Sequence, residues 1–334
     1  MTLSAGRHRR PHEIVGSFGA SAVSAPAPVA RVRCSVVAGL CVLLLAAPVS
    51  AQDLDPRAYA NVPVDGTFLV SGFSLSRGGV LSDPMLPVKD LRATVETPSL
   101  GIARSFSLFG RTAQAFVALP YSWAQVSGHV LGEAVDTTRA GFSDMRVRVS
   151  VLVRGAPASS VLEIMKAPRR TILGASLTIV APTGQYFSDK IINLGTNRWT
   201  FKPEFAVSQP IGERWLLDTY AALWLFTGNN AFYPGTLVRT QAPVLAFQAH
   251  VSYSLKPQMW AAFDATYYVG GRTAVEGVEN DDRQANSRVG ATLVLPVGRR
   301  HSVKLAVSTG AIVRFGTDFT TVSIGWQTAW VPRP

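Results

Sequence analysis

The sequence predicts an all-β fold: a transmembrane antiparallel β-barrel of about 12 strands that follows a cleaved N-terminal signal peptide. Three observations support this prediction. About a dozen segments alternate apolar with polar residues, the links between them alternate between short and long, and charged residues make up only 16 % of the 334 positions. Soluble globular proteins average roughly 25 % charged residues. Less of this chain's surface than usual is therefore expected to meet water.

The alternation is clear in residues 197–208, NRWTFKPEFAVS. The odd positions carry aromatic residues such as Trp199 and Phe205, and the even positions carry Arg198, Lys202 and Glu204. Because side chains alternate across a strand, one face is apolar and the other charged. A soluble sheet would show the same pattern, so this segment alone does not decide between the two. Comparable segments are centred near residues 72, 99, 117, 149, 176, 203, 220, 250, 263, 292, 308 and 324.

The links between these segments fall into two classes. Short links occupy residues 108–111, 210–214, 255–258 and 297–301, and longer polar links occupy residues 77–91, 124–141, 182–197, 227–242 and 270–286. Short periplasmic turns and long outer loops are typical of outer-membrane barrels, whereas a soluble sandwich has no reason to sort its links. Two links break the rule: the one near 316–318 is tight, and 155–170 is long and predicts a short amphipathic helix around Val161–Met165.

Residues 1–51 form the predicted leader. Arg31 and Arg33 precede an apolar run that ends near Ala47, and small residues up to Ala51 fit a signal-peptidase site after that residue. The run is shorter than the ~20 residues that a spanning helix needs, although an uncleaved anchor is the alternative. Residues 1–30 are long for a leader, which points to a mis-annotated start. Residues 52–66 then form a periplasmic N-terminal segment, or one that enters the lumen, and residues 67–331 form the barrel.

Removing the leader changes the chemistry that the chain can offer. Both cysteines, Cys34 and Cys41, lie in the leader, so the mature chain is expected to contain none. Disulfides, thiol catalysis and Cys-ligated zinc are therefore excluded for the mature chain. Five of the 32 basic and one of the 21 acidic residues also leave, so the mature charge is 27 minus 20, or +7. The basic residues are scattered, without a cluster that interleaves aromatics. Nucleic acid is therefore not an expected partner.

The C-terminal segment and the aromatic residues both point to a bilayer. Residues 323–330, SIGWQTAW, resemble the signal that the barrel-assembly machinery recognises, with Gly325 and the terminal aromatic Trp330, although Thr328 departs from it and four residues follow. Aromatic residues also gather at segment ends, where girdles at the membrane interface would lie. They are Tyr121, Trp123, Trp199, Trp215, Tyr267, Trp326 and Trp330.

The polar face of the segments supplies the candidate functional residues, because it would line the lumen. The predicted pore-lining residues are Arg146, Arg148, Arg198, Lys202, Glu204, Asp218, His250, Asp264, Arg288, Lys304 and Arg314. Asp144 and Arg154 share this face, which gives eight bases against four acids. Such a wall would favour anions modestly. The alternative is that these charges pair across strands and close the lumen.

No catalytic, metal or cofactor signature occurs after the leader. A barrel-embedded lipid hydrolase would need a serine and a histidine on the outer wall, whereas His250 falls on the polar face with Gln248 and Ser252. The acidic residues of 276–282 lack the spacing of a calcium loop, so they are expected to form a solvated loop. No catalytic residue, metal or cofactor is therefore predicted.

Several stretches together resemble a known family. They are PRAYANVPV (56–64), SRGGVLSDPMLPVKDL (76–91), INLGTNRWTFKPE (192–204), TYYVGGRT (266–273) and NSRVGATLVLPVGRRHSVK (286–304). They are similar to the bacterial outer-membrane proteins named for the meta pathway of phenol degradation. The resemblance implies a transmembrane β-barrel in the outer membrane of a Gram-negative bacterium, suspected of admitting aromatic compounds. The expected partners are outer-membrane lipid and lipopolysaccharide, the barrel-assembly machinery and a small-molecule solute.

The leader generates the first testable prediction. Signal peptidase should cleave after Ala51, because small residues occupy the positions that its active site requires. N-terminal sequencing of the protein isolated from outer membranes should therefore begin at Gln52. A start within residues 1–34 would show instead that the apolar run is retained as an anchor.

Overall fold

The computed structural model describes residues 54–81, 88–130, 133–190 and 192–332, so the predicted leader lies outside the described residues. The strands are β1 (Thr67–Leu81), β2 (Val88–Leu108), β3 (Arg111–Val130), β4 (Glu133–Phe142), β5 (Met145–Arg154), β6 (Ile172–Ala181), β7 (Thr200–Ile211), β8 (Trp215–Phe226), β9 (Asn229–Phe232), β10 (Leu237–Gln241), β11 (Val244–Lys256), β12 (Met259–Gly270), β13 (Thr273–Val275), β14 (Val278–Glu279), β15 (Gln284–Val297), β16 (His301–Ile312) and β17 (Gly316–Trp330). The helix α1 is Val161–Lys166.

The long strands close into an antiparallel barrel. The first strand pairs with the last along its whole length, from Thr67 opposite Trp330 to Leu81 opposite Gly316. Strand β3 pairs with β5 near one end and with β4 near the other, so β4 and β5 share one place in the wall. The thirteen strands of this sheet therefore fill twelve wall positions. The prediction of an all-β barrel of about 12 strands is confirmed.

The two ends of the barrel differ, as the link lengths predict. One end, the turn end, carries the tight turns after β2, β7, β11 and β15. Gly110 and Gly212 lie there at φ 73° and 59°, in the left-handed region that glycine enters without strain. The long link 155–171 at this end contains the predicted helix, α1, which begins with a capping box between Ser160 and Glu163. No helix among the described residues is long and apolar enough to cross a bilayer.

The opposite end, the loop end, contains more regular structure than predicted. Links 227–242 and 270–286 contribute strands β9, β10, β13 and β14, which form a separate small sheet. The predictions of loops at 77–91 and 124–141 are wrong for most of their described residues, because β1–β4 continue through them as paired strands. At about 3.3 Å per residue, β2 and β3 are much longer than a hydrocarbon layer of about 30 Å. Beyond the bilayer both strand faces can be polar, which made these segments resemble loops.

The alternation along β7 sorts its side chains as predicted. Thr200, Lys202, Glu204 and Ser208 are buried inside the barrel, whereas Phe205 is 50 % exposed on its outer surface. The other strands expose apolar side chains in the same way, among them Leu100, Ile102, Leu119, Val149, Leu177, Phe247, Phe263, Leu305, Val322 and Ile324. Such a band is the surface that lipid covers in a transmembrane barrel.

Aromatic side chains flank this apolar band. Trp215, Trp326 and Trp330 are exposed near the turn end, and Trp123, Trp199 and Tyr267 are exposed toward the loop end. Two belts of this kind mark the membrane interfaces of an outer-membrane barrel.

Pro203 interrupts the wall locally, because it has no N–H to donate. The pairing of β7 with β8 is missing at Lys202 and Pro203 and resumes at Glu204 in the same register. The pairing with β6 continues through Leu177 opposite Pro203. The sequence predicts a bulge or a missing rung here, and the structure shows the missing rung.

The outward position of Phe205 can be tested with a charge. Phe205→Arg places a guanidinium midway along β7 on the lipid-facing surface, so it should lower the free energy of unfolding by about 2–4 kcal/mol. Gln209→Arg is the matched control: it lies on the same face nearer the turn end, where the cost is about 0–1 kcal/mol. Urea unfolding in phospholipid vesicles, followed by tryptophan fluorescence, measures both. Equal losses would contradict the assignment of this face to lipid.

Candidate functional site

The N-terminal segment occupies the barrel lumen. The sequence allows residues 52–66 to lie either in the periplasm or in the lumen. In the structure, residues 54–61, here called the plug, lie in the lumen. Tyr59 is 1 % exposed inside the barrel. The backbone N–H of Arg57 donates to Asp218 Oδ2 at 3.1 Å, and that of Ala58 donates to the Tyr220 hydroxyl at 3.2 Å. The plug is therefore bound to the inner wall.

The plug makes a tight turn and then leaves through the turn end. The N–H of Ala60 donates to the carbonyl of Arg57, which adopts a positive φ of 62°. The chain then follows the turn end, where the N–H of Val64 donates to the carbonyl of Ser159 at 3.1 Å. A Cβ at Gly174 of β6 would lie 2.2 Å from the Tyr59 ring, so this close approach requires glycine in the wall.

A charged cluster in the wall holds the Tyr59 side chain. The Glu204 carboxylate lies 2.8 Å from Lys202 Nζ and 3.4 Å from an Arg148 guanidinium nitrogen. The Tyr59 hydroxyl donates to the same carboxylate at 2.9 Å, and the Arg148 guanidinium lies 4.8 Å from the centre of the Tyr59 ring. Burial raises the pKa of Tyr59 to about 12, so the phenol stays neutral and remains a donor.

A second polar cluster lies beneath Arg57. His250 and Asp264 are fully buried neighbours on β11 and β12, with Nδ1 2.7 Å from the carboxylate. Asp264 also accepts from the Thr292 hydroxyl at 2.8 Å, and Asp218 accepts from Ser208. Buried polar groups are stable in such a wall only when they are paired in this way.

Three further basic residues, Lys304, Arg288 and Arg198, have partners outside these two clusters. Lys304 Nζ lies 2.6 Å from the Asp55 carboxylate of the plug. Arg288 donates to the Ser308 hydroxyl at 3.1 Å and to the Phe319 carbonyl at 2.9 Å. Arg198 donates to Gln241 at 2.6 Å and packs over the Phe226 ring.

An open cavity of 470 Å³ lies between the plug and the wall. Its lining combines four bases, three acids, many hydroxyl groups and two aromatic side chains, Phe116 and Tyr220. The charged members are Arg146, Arg148, Lys202, Lys304, Asp55, Glu204 and Asp264. The hydroxyl groups come from Ser74, Ser76, Ser99, Thr178, Thr292, Ser308, Thr321 and Ser323. Such a lining can hydrogen-bond and charge-pair with a polar solute on all sides.

Nearer the loop end, part of the barrel interior is apolar. Val180, Trp224, Val244, Ala246 and Tyr268 pack together there as buried side chains. This cluster narrows the interior on the side of β6, β8, β11 and β12. A solute crossing the barrel would therefore pass a polar region and an apolar one.

The structure divides the predicted pore-lining residues into three groups. Arg146, Arg148, Lys202, Glu204, Asp264 and Lys304 line the cavity. Asp218, His250 and Arg288 are buried inside the barrel without lining the cavity, and Arg198 is buried in the link just before β7. The prediction that Arg314 lies on the strand wall is wrong: it lies exposed in the turn 313–315, where the strand period ends. Arg154 is also exposed, because a register shift after Leu152 breaks the alternation.

Sequence reasoning did not identify the residues that the plug contributes. Asp55, Arg57 and Tyr59 lie in a segment without periodicity, and periodicity is the signal by which wall residues are recognised. Their side-chain hydrogen bonds to the wall join residues between 117 and 249 positions apart in the chain. Only the resemblance in residues 56–64 drew attention to this segment.

The predicted acidic loop is held by its own contacts. Glu279 pairs with Arg272 at 2.9 Å, and Asp282 accepts from the backbone and hydroxyl of Thr273 at 2.8 and 2.6 Å. Within the described part of the chain, no group of three or more histidine and acidic side chains is arranged to hold a metal ion. His250 is 0 % exposed and lies inside the barrel, away from the outer wall that a lipid hydrolase would use.

Solved structures of outer-membrane proteins share this fold. The chain is similar to an outer-membrane channel from Pseudomonas putida F1, with a TM-score of 0.72 and 22 % sequence identity over 83 % of this chain and 100 % of that one. It is also similar to the transport unit of the autotransporter AIDA-I from Escherichia coli, with a TM-score of 0.53 and 11 % identity over 89 % and 98 % of the chains. Among the curated proteins compared, none matches the sequence.

The closed barrel, its apolar outer band and its aromatic belts are those of a protein in the outer membrane of a Gram-negative bacterium. The sequence matches a family model over residues 65–325, which is most of the chain. The family is described as a putative MetA-pathway of phenol degradation. The match begins just before β1 and ends within β17, so it covers nearly the whole barrel. This chain belongs to that family.

Proposed function

We propose that the protein is an outer-membrane channel that passes small solutes, including aromatic compounds, by diffusion through its polar lumen. The observation that carries this proposal is the 470 Å³ cavity, lined by charged and hydroxyl side chains inside a closed barrel. A barrel that served only as a structural element would gain nothing from polar groups that line open space. Hydroxyl and charged groups can replace part of a solute's hydration shell as it enters.

Selection in this mechanism combines size with the electrostatic field of the wall. The plug and the apolar cluster fill part of the interior, which would exclude large solutes. The cavity lining carries four bases against three acids, a single positive excess. Pores lined in this way favour anions over cations. The preference should be modest, because Glu204 and Asp55 compensate several of the cations.

Two observations support aromatic compounds among the solutes. Phe116 presents an aromatic side chain to the cavity, where a planar ring can stack. The family is described by a putative pathway of phenol degradation. An aromatic solute would therefore find an apolar contact and polar neighbours within the same cavity.

A non-conducting structural barrel is the second candidate. The plug and the charge pairs around Glu204 favour it, because they fill much of the interior and neutralise its charges. Lipid hydrolysis is not proposed, since the one buried His–Asp pair of the described residues, His250 with Asp264, faces the interior. Electrical measurements separate the channel from the structural barrel.

The partners that we propose follow from the same surfaces. The apolar outer band would contact outer-membrane lipid and, in the outer leaflet, lipopolysaccharide. Strand β17, which closes the barrel against β1, would present its terminal segment to the barrel-assembly machinery before closure. The lumen would take the small-molecule solute.

Conduction is the first prediction of the channel proposal. Purified protein in a planar bilayer with KCl should show discrete current steps, and a salt gradient should give a reversal potential of anion-selective sign. Glu204→Gln should strengthen this selectivity, because it removes a wall carboxylate without changing the side-chain size. The absence of current steps at every voltage would contradict the channel. A cation-selective reversal potential would contradict the proposed role of the wall charges.

The plug supplies a second prediction. The double variant Arg57→Ala, Tyr59→Ala removes two large side chains from the lumen, together with their hydrogen bonds to Ser254 and Glu204, so the single-channel conductance should rise severalfold. Arg169→Ala is the control, because Arg169 donates to the carbonyls of Gly212 and Trp215 at the turn end. Equal conductance of the double variant and the wild type would show that the plug does not limit the current.

A further inference from the structure

The contact between Asp55 and Lys304 differs from the other charge pairs of the lumen. Arg148, Lys202 and Glu204 all belong to wall strands, whereas Asp55 belongs to the plug. Its carboxylate lies 2.6 Å from Lys304 Nζ, and the two side chains keep 55 % and 37 % of their surface accessible because both face the cavity. A carboxylate on a separate segment can be exchanged for another without breaking the barrel wall.

The surroundings of Asp55 keep it ionised. Loss of hydration in the lumen would raise the pKa of Asp55, but the charge and hydrogen bond of the Lys304 ammonium, together with the Arg148 guanidinium, hold that pKa below its ordinary value. At neutral pH the plug therefore presents an anion to this part of the wall. The position that Asp55 occupies is one that stabilises a carboxylate.

The cavity beside this pair has room for a larger anion. Its 470 Å³ lies within the range of about 300–1,000 Å³ that is usual for small-molecule sites. Phe116 supplies aromatic surface, and Ser74, Ser76 and Ser308 supply hydroxyl groups in the same lining. A ligand with a carboxylate and a planar ring would match both kinds of lining group.

We propose that the lumen binds small aromatic carboxylates, whose carboxylate replaces that of Asp55 on Lys304. The plug then acts as an internal competitor, and it is released from Lys304 when the ligand binds. This inference rests on the proposed channel function for the entry of the ligand and names the class of solute that the lumen takes. A neutral phenol cannot replace the Asp55 charge, so it should leave the pair intact and bind more weakly.

Competition predicts that the two partners of the pair respond in opposite directions. Asp55→Asn removes the competing carboxylate from Lys304, so the affinity for the ligand should rise. If the competitor occupies Lys304 about nine-tenths of the time, the gain is about tenfold, because apparent affinity scales with the competent fraction. Lys304→Gln removes the cation that the ligand needs, so the affinity should fall by at least a similar factor. A pair that only fastened the plug would respond alike to both substitutions.

Isothermal titration calorimetry of the full mature chain in detergent tests this directly, with benzoate, phenol and acetate as probes. Benzoate should bind more tightly than phenol, which lacks the charge, and than acetate, which lacks the ring. Lys304→Arg should retain most of the benzoate affinity. Asp189→Asn and Lys190→Gln are matched controls, because that pair lies 2.8 Å apart on exposed side chains of residues 182–199. Heat-modifiability on gels establishes that each variant is folded.

The outcomes separate this inference from the proposed function. A rise in benzoate affinity for Asp55→Asn with a fall for Lys304→Gln supports competition. Competition is overturned if the benzoate affinity of both variants changes in the same direction or not at all. It is also overturned if phenol binds as tightly as benzoate. Failure of the channel function is recognised independently, as the absence of current steps in both the wild type and Asp55→Asn, whatever the calorimetry shows.

Discussion

The constraint on which the whole structure depends is the lack of hydrogen-bonding water in the bilayer core. Every backbone N–H and C=O in that region must find a partner within the protein, and a closed sheet provides one. The pairing of β1 with β17 over fifteen residues is the step that removes the last free edges. Once the sheet is closed, the period of two assigns each side chain either to lipid or to the lumen. Charged side chains such as Lys202, Glu204 and Asp264 therefore lie inside the barrel.

A lumen that receives so many charged groups requires compensation for them. Neighbouring strands provide part of it, as in the contacts of Glu204 with Arg148 and Lys202. The plug provides another part, because Asp55 pairs with Lys304 and Tyr59 donates to Glu204. The plug is consequently more than a steric obstacle. It alters the electrostatic field that a solute meets.

The sequence predicts well those features that depend on local periodicity. The facing of Lys202, Glu204 and Phe205, the turns after β2 and β7, and the helix α1 all follow from patterns within a few residues. The prediction for Arg314 is wrong because this residue lies in a turn, where the alternation of strand side chains does not apply. The extensions of β2 and β3 are not predicted as strands because strands outside a bilayer need no apolar face.

The position of the plug depends on contacts that no local pattern encodes. Asp55 and Lys304 are 249 residues apart, and Arg57 and Asp218 are 161 apart. The charges on both sides are visible in the sequence, but their pairing follows only from barrel closure and from the return of the chain into the lumen. Predicting the wall residues was therefore possible, whereas predicting the occupied site was not.

Gly174 shows how closely the wall and the plug depend on each other. Within β6 an alanine would satisfy the pairing and the inward face equally well. The space for its methyl group is instead taken by the Tyr59 ring, which a Cβ would meet at 2.2 Å. Because Gly174 has no side chain, the wall leaves the space that the Tyr59 ring occupies at this level of the lumen. Lineages of this barrel could change that residue only together with the N-terminal segment, so the two positions should vary as a pair.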